Sequence, residues 1–482
     1  MSTVFGIHLG NSNACLAFNK DGKVDVIANN AGNRCTPSFI AALSSEEIVT
    51  GLSAKHQTIR NSNLTVINNK VFLDSDLQNE QLEEAIKKLT CPIIESPFQY
   101  KLEREEEFST CLTPVQVASH LFAELSSIAL QNQQSNDSKL KCVLSVPLHF
   151  SKTSRKNLAE AAQDGGFEVL QIISEPAAAI LAYDLDSNER EQNVLVYRLG
   201  GISCDATLCS IKHGMIEVTD TIHSKNIGGN LITEQLAEYV AEEFYRKIKL
   251  DPRESRRTML KLQMHSENVK HVLSSMQTAH CFIESLMDGV DWSQNLSRAR
   301  FENLIQTNLV QYRQVIDELI NRNKDFEINQ IVVCGGGMKI PKIQQMLSGM
   351  FPKANVLTHI IPDEVIALGC AKQAGILTKQ WDHEYEHLSM GVEFLQTDIY
   401  AKDKNEKEIL LFERGVPIST EKRFKVETQS NEEELELDLF EKQDSEFVHL
   451  DKVSFELAAD RKLNEIELIA KLTLNGISLD LY

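Results

Sequence analysis

The stretch NVLVYRLGGISCD, residues 193–205, decides the fold. Branched apolar side chains of a buried strand run into a Gly200-Gly201 turn, and the chain leaves that turn through Ile202, Ser203 and Cys204. Residues 4–15, VFGIHLGNSNAC, repeat the pattern: a strand, a turn at Gly10, then Asn11 and Ser12. Residues 331–341, IVVCGGGMKIP, end a third strand on Gly335, Gly336 and Gly337, with Lys339 just beyond. Glycine lets backbone N–H groups approach an anion closely, so turns of this kind at strand ends can cradle phosphates. One such turn is a weak signal, because many hairpins contain Gly-Gly. Three, each after a buried-strand pattern, predict a nucleotide held between two halves.

Working outward, residues 1–43 read as a meander: a strand, a turn at Lys20-Asp21-Gly22, a strand over 24–27 and a turn over 29–33. A buried strand over 143–146 stops at Pro147, and residues 151–165 carry helical periodicity that ends in Gly165-Gly166. A strand over 169–173 leads into Glu175-Pro176 and an alanine-rich helix. Gly228-Gly229 precedes a long helical pattern, and residues 256–280 and 297–321 also read as helical. Meander, helix, strand, helix therefore occurs in 1–185 and recurs in 193–377. Two related α/β lobes facing a cleft are the economical reading. After Thr378 the chain changes character. Residues 380–389, QWDHEYEHLS, are polar and aperiodic and read as a linker. Beyond them alternation takes over, with Leu435, Leu437 and Leu439 facing one way and Glu434, Glu436 and Asp438 the other. That predicts a small antiparallel β-domain with one wet face.

A chain of 482 residues is too long for one core. Its net charge of −20 argues against broad docking on nucleic-acid phosphates. The local basic run at Arg253, Arg256, Arg257 and Lys261 reads as a solvated helix face. Ten scattered cysteines with no CxxC fit reduced thiols of an intracellular protein. Residues 1–20 lack a secretory pattern, no apolar span is long enough to cross a membrane, and no lipidation box is present. The expected location is the cytosol.

The longer blocks carry a resemblance. AGNRCTPSFIA (31–41), VLSVPLHFSKTSRKNLAEAA (143–162), IISEPAAAILAYDLD (172–186), IGGN (227–230), SRARFENL (297–304), GGGMKIPKIQ (335–344) and IPDEVIALG (361–369) stand in order. In them the chain resembles the seventy-kilodalton heat-shock chaperone family. The resemblance implies an actin-like nucleotide-binding domain over 1–378, a linker over 379–390 and a truncated substrate-binding-like β-subdomain over 391–482. It also implies that no helical lid follows. Carried over residue by residue, Lys70 and Glu175 match the family's catalytic lysine and hydrolysis-supporting glutamate. Asp205 matches the aspartate after the second phosphate turn. Pro147 and Arg155 match a proline switch and the arginine that relays nucleotide state. Glu267, Lys270 and Ser274 fall where the family holds the adenosine. Gly335, Gly336 and Asp363 match the wall beside it, and Gly228 and Gly229 the IGG turn.

Departures sharpen the reading. The family has aspartates where this chain has His8 and Arg198, threonines where it has Asn11, Ser12 and Ser203, and a third glycine where it has Ile202. Asn230 and Leu231 replace two acids, and His271 replaces an adenine-stacking arginine. The two missing aspartates hold the water shell of Mg²⁺, which wants oxygen ligands that imidazole and guanidinium do not supply. Arg198 brings a fixed positive charge that could meet phosphate directly. The competing reading has His8 and Arg198 pointing into solvent or into a new salt bridge, with no role in the cleft. ATP or ADP binding with little dependence on Mg²⁺, and weak or absent hydrolysis, are expected.

Short-tailed members of this family with a similarly altered site form a complex with a J-domain protein at the ribosome. This sequence is similar to that branch. The resemblance implies a J-domain co-chaperone as partner, the ribosome reached through it, and action on nascent polypeptides without direct nucleic-acid or membrane contact. The rival is a slow but genuine ATP-driven foldase. A sugar or acetate kinase on the same fold would leave the β-tail unexplained. Whether residues 391–482 grip peptide or dock a partner stays open at this point.

Overall fold

The computed structural model describes residues 3–75, 77, 79–104, 107–132, 139–187, 191–212, 214–378, 395, 397–404, 407–412, 420–427, 434–443, 446–456, 465–473 and 476–481. Two compact units emerge, one of residues 1–214 with 220–389, the other of 215–219 with 390–482. The expected linker over 379–390 lies outside the described residues, as does most of the block 410–420.

Two sheets form the frame of the first unit. One runs in the order Phe167–Ser174, Leu140–Val146, Val4–Leu9, Asn13–Lys20, Lys23–Val26. The other runs Asn355–Leu357, Gln330–Cys334, Gln192–Leu199, Ser203–Lys212, Met215–Lys225. In each, the central strand pairs parallel with one neighbour and antiparallel with the next strand of the chain. The sheets are thus two copies of one plan, and this is the actin-like arrangement. A phosphate turn sits in each copy where the central strand hands over to its antiparallel partner, at Gly10 and at Gly200.

Local signals explain the helices that flank these sheets. Ser151 caps the helix Lys152–Asp164 by accepting from the Ser154 amide, and Ser174 caps Glu175–Ala182 by accepting from the Ala177 amide. Pro176 fits the first turn of the second helix, where no N–H is needed. The helix Val365–Leu377 packs on the strand Val4–Leu9 and on Glu175–Ala182 at backbone contact. A Cβ at Gly6 would lie 2.0 Å from the Ala371 nitrogen, and one at Gly369 would lie 1.7 Å from the Ala178 oxygen. Close packing there pins Glu175 against the cleft floor.

Two helical expectations need correction. The helix Arg256–Ser275 stops short of residue 280, because Met276 is extended and the strand Thr278–Met287 begins, its side chains alternately exposed and buried. It pairs with Val290–Ser297. The pattern over 297–321 is two helices, Arg298–Leu304 and Gln306–Arg322, broken at Ile305, whose side chain fills the core.

The second unit has two antiparallel sheets. One orders Glu408–Phe412, Asp398–Lys402, Glu434–Gln443 and Glu446–Glu456; the other orders Thr420–Glu427, Glu465–Thr473 and Gly476–Leu481. Leu435, Leu437 and Leu439 from the first share a core with Leu468, Ala470 and Leu472 from the second. The alternation read from sequence is the burial pattern of that core. Among the described residues, no helix is long and apolar enough to cross a membrane.

Candidate functional site

The glycine turns meet because no side chain stands between them. A Cβ at Gly201 would lie 1.9 Å from Ser12 Oγ, and one at Gly228 would lie 2.5 Å from the Gly201 oxygen. Gly335, at φ +86°, brings its Cα to where a Cβ would be 2.3 Å from the Leu199 oxygen. The Gly229 and Asn230 amides donate to the Gly200 and Gly201 carbonyls at 2.9 and 2.8 Å. First turn, second turn and IGG turn form one backbone cradle.

Its floor is a cluster of charges. Arg198, at the end of Gln192–Leu199, places Nε 2.9 Å from Glu175 Oε2 and donates from Nη2 to Ser203 Oγ at 2.9 Å. The same nitrogen meets the Asp205 carboxylate. Lys70 Nζ lies 2.6 Å from Glu175 Oε1. His8 Nδ1 is 3.0 Å from Ser145 Oγ and 3.8 Å from Glu175 Oε1. Beyond Asp205, His223 approaches at 2.5 Å through Nδ1 and packs on His149 with ring centroids 4.1 Å apart and planes tilted by 33°.

Burial and charge pull against each other here. Burial would raise the Glu175 carboxyl, but Arg198, Lys70 and His8 outweigh it and hold the group well below the usual carboxylate range. Asp205 is treated alike: burial pushes it up, and Arg198 and His223 bring it down. Arg198 stays protonated, since Asp205 and Glu175 overcome the burial that opposes its charge. Burial lowers the Lys70 ammonium despite Glu175, with Arg198 adding to the fall. Burial drives His8 down to about 3, so its imidazole is neutral at pH 7.

Of the two readings for Arg198, the salt bridge is the one realised, yet it lies in the cleft rather than away from it. The guanidinium borders a cavity of about 400 Å³ whose lining includes Gly10, Asn11, Lys70, Pro147 and Ser203. Its Nη1 lies under the second turn, 2.8 Å from where a Gly200 Cβ would be. Asn11 reaches across instead, its Oδ1 accepting from the Val71 amide at 3.1 Å.

The residues expected around an adenosine are placed less uniformly. Lys270 is buried and donates to the Gly229 oxygen at 3.1 Å and to Thr233 Oγ1 at 2.7 Å, which fixes the IGG turn. Burial lowers its ammonium to about 8. Glu267 pairs with Lys55 at 2.6 Å, a contact from one lobe to the other. Ser274 donates to the Lys270 carbonyl of its own helix at 2.9 Å, while His271 is exposed. Lys339 and Asp363 pair with each other at 2.5 Å beside Gly335, Gly336 and Gly337. Pro147 lines the cavity, and Arg155 donates from Nε to the Phe150 carbonyl at 3.2 Å.

Sequence reasoning missed Lys55, His149 and His223. For His223 a signal existed: it and Asp205 stand nine residues either side of Gly214, the turn of the hairpin between Ser203–Lys212 and Met215–Lys225. Lys55 had none, since Glu267 is 212 residues away.

Glycine cradles with hydroxyl and cationic side chains suit a phosphate-bearing nucleotide. A hard divalent ion fits poorly: Glu175 is already held by the Arg198 guanidinium and the Lys70 ammonium, and Asp205 by Arg198 and the His223 imidazole. No group of three or more His, Cys, Asp or Glu residues arranged to hold a metal occurs among the described residues.

Fold and cradle define a nucleotide-binding protein of the actin-like class, and comparison with known proteins places it among chaperones. The Hsp70 protein family matches residues 4–468, and this chain belongs to it. It is 37% identical over 448 residues to Heat shock 70 kDa protein 14 of Homo sapiens, covering 90% of this chain and 87% of that protein. It is 36% identical over 448 residues to Heat shock 70 kDa protein 14 of Rattus norvegicus, and 35% identical over 445 residues to Heat shock 70 kDa protein 14-A of Xenopus laevis. Each of these two alignments also covers 90% of this chain and 87% of the relative.

Proposed function

We propose that this chain binds ATP or ADP with little need for Mg²⁺, hydrolyses it weakly or not at all, and works as a co-chaperone rather than a cycling motor. The observation that carries the reading is Arg198, ion-paired with both Glu175 and Asp205 on the cleft floor. Relative to the family pattern, a neutral His8 and a cationic Arg198 in place of two aspartates make the site three charges more positive. A divalent ion brings only two. The protein thus supplies its own counter-charge for phosphate, in a fixed position and without a metal-bound water shell.

Phosphoryl transfer depends almost entirely on positioning and electrostatics, and a misplaced base or stabiliser costs about 10²–10⁴-fold. Binding survives such a change; turnover does not. A protein that holds nucleotide without cycling can serve as a stable scaffold. The resemblance to short-tailed members supports a J-domain partner, the ribosome reached through that partner, nascent chains as the beneficiaries and the cytosol as the location. The assignment of 1–378 to nucleotide, 379–390 to a linker and 391–482 to peptide or partner docking belongs to the same proposal.

The test is calorimetric titration of ATP with Mg²⁺ and with EDTA, alongside phosphate release with a J-domain protein present. Similar affinities and negligible release are expected. A large metal requirement with brisk release would overturn the proposal. One observation favours the rival slow foldase: the Lys70–Glu175 contact at 2.6 Å keeps both groups that support hydrolysis in the family. Turnover stimulated by a J-domain protein and abolished by Lys70→Ala would select that rival.

A further inference from the structure

Cys15 and Cys35 stand side by side next to the first phosphate turn. The strand Asn13–Lys20 pairs antiparallel with Thr36–Pro37, Asn13 opposite Pro37 and Ala14 opposite Thr36. Continuing that register by one residue sets Cys15 against Cys35. Both side chains reach one small cluster: Cys15 lies within it beside Ala17, Val26, Ala367 and Ala371, and Cys35 packs against it. Residues directly opposed across strands have Cβ atoms about 4.5–5.5 Å apart, and a disulfide needs about 3.5–4.5 Å, so a small approach suffices.

The surroundings hold both residues in place. Asn29 Nδ2 donates to the Cys35 carbonyl at 3.3 Å, and Cys15 Sγ faces the Arg34 carbonyl at 3.7 Å. Arg34 itself is clamped by Glu364 at 2.6 and 2.9 Å and by Asp25 at 2.7 Å. The Ser38 amide donates to the Ser12 carbonyl at 2.9 Å, which ties the same segment to the phosphate turn. Access is unequal: Cys15 is buried, whereas Cys35 is partly exposed.

We propose that Cys15 and Cys35 are a redox pair that closes to an intramolecular disulfide under peroxide, linking the first phosphate turn to the segment before Thr36. Cys35, the accessible sulfur, attacks one oxygen of hydrogen peroxide; the O–O bond breaks, hydroxide leaves, and a sulfenic acid forms. Cys15 then attacks that sulfur. The S–S bond forms, the S–O bond breaks, and the hydroxyl departs as water with the Cys15 proton. Two thiols lose two electrons in all, and one peroxide becomes two waters; a small thiol such as glutathione reverses the change. The neighbouring Cys35 thiol and burial hold the Cys15 thiol well above its ordinary range, which suits the slower, resolving partner.

Other thiols supply internal controls. Cys111 is exposed, whereas Cys142 and Cys370 are buried. The full chain, reduced and desalted, is exposed to graded hydrogen peroxide, alkylated, digested without reductant and weighed. Trypsin separates the two cysteines, so closure gives a cross-linked peptide pair about 2 Da lighter than the sum of its parts. That product should form at least tenfold faster than any modification of Cys142 or Cys370. It should also run as a monomer, vanish with dithiothreitol and be absent in Cys35→Ser. Peroxide that oxidises Cys111 while Cys15 and Cys35 stay alkylatable would overturn the proposal. So would capping of Cys35 that never proceeds to the cross-link.

Discussion

Replacing Arg198 by methionine removes the charge but keeps much of the side-chain volume. In the native chain its Nε is 2.9 Å from Glu175, and its Nη2 meets Ser203 at 2.9 Å and the Asp205 carboxylate. Removing one partner of a buried ion pair costs about 3–5 kcal/mol when the other charge is left alone. Here each carboxylate keeps a second basic neighbour, Lys70 at 2.6 Å for Glu175 and His223 at 2.5 Å for Asp205. The expected loss is therefore near the low end, about 3 kcal/mol, read as a lower urea midpoint. The nucleotide readout is separate. A charge-assisted contact contributes about 1.5–3 kcal/mol, so ATP affinity in EDTA should fall by about ten- to a hundredfold in the folded variant. Added Mg²⁺ should restore much of it, because Glu175 Oε2 and Asp205 Oδ2, the oxygens that face Arg198, can then turn to the ion. Equal ATP affinity in EDTA for variant and native chains would refute the claim that Arg198 takes the metal's place.

Restoring both acids, with His8→Asp and Arg198→Asp together, should raise phosphate release and make ATP binding metal-dependent; no gain would move the defect to Ile202 or Asn11. Acid should destabilise the fold through its buried neutral histidines. Burial holds His8 and His149 to about 3, below the ordinary 6.5, so their contribution is complete above pH 6.5 and is lost as pH falls toward 3. Between pH 7 and pH 5 that amounts to about 2 kcal/mol for each histidine, checked by urea midpoints at the two pH values and by their flattening in His8→Asn. Lys55→Ala breaks the contact with Glu267 that spans the cleft and should speed nucleotide release about threefold to fivefold in stopped flow, as suits a partly exposed pair. Gly369→Ala should cost about 1–3 kcal/mol in spite of better helix propensity, since its Cβ would meet the Ala178 oxygen at 1.7 Å. A stable Gly369→Ala chain with unchanged spectra would contradict that helix contact.

Local chemistry alone determined a good deal. Strands that end in glycine, serine caps ahead of helices and the alternation of Leu435, Leu437 and Leu439 are each written within a few residues. Their periods and backbone preferences do not depend on distant partners. The helix expected to reach residue 280 failed for the complementary reason: strand pairing with Val290–Ser297 overrides a local pattern. Identity at positions 8 and 198 was likewise plain in the sequence: an imidazole and a guanidinium, neither of which offers oxygen to a metal.

Tertiary structure decided where those charges go. Arg198 could have met phosphate, solvent or acid, and register chose Glu175, brought in on the capped helix Glu175–Ala182, and Asp205, directly opposite on the paired strand. Lys270 was matched to adenosine, but the crossing of two helices aims it at Gly229 and Thr233. Cys15 and Cys35 became a pair only through the short strand Thr36–Pro37. A charge or thiol announces its chemistry through its own atoms, whereas its partner is set by strand register and helix packing, which join residues that are distant in sequence.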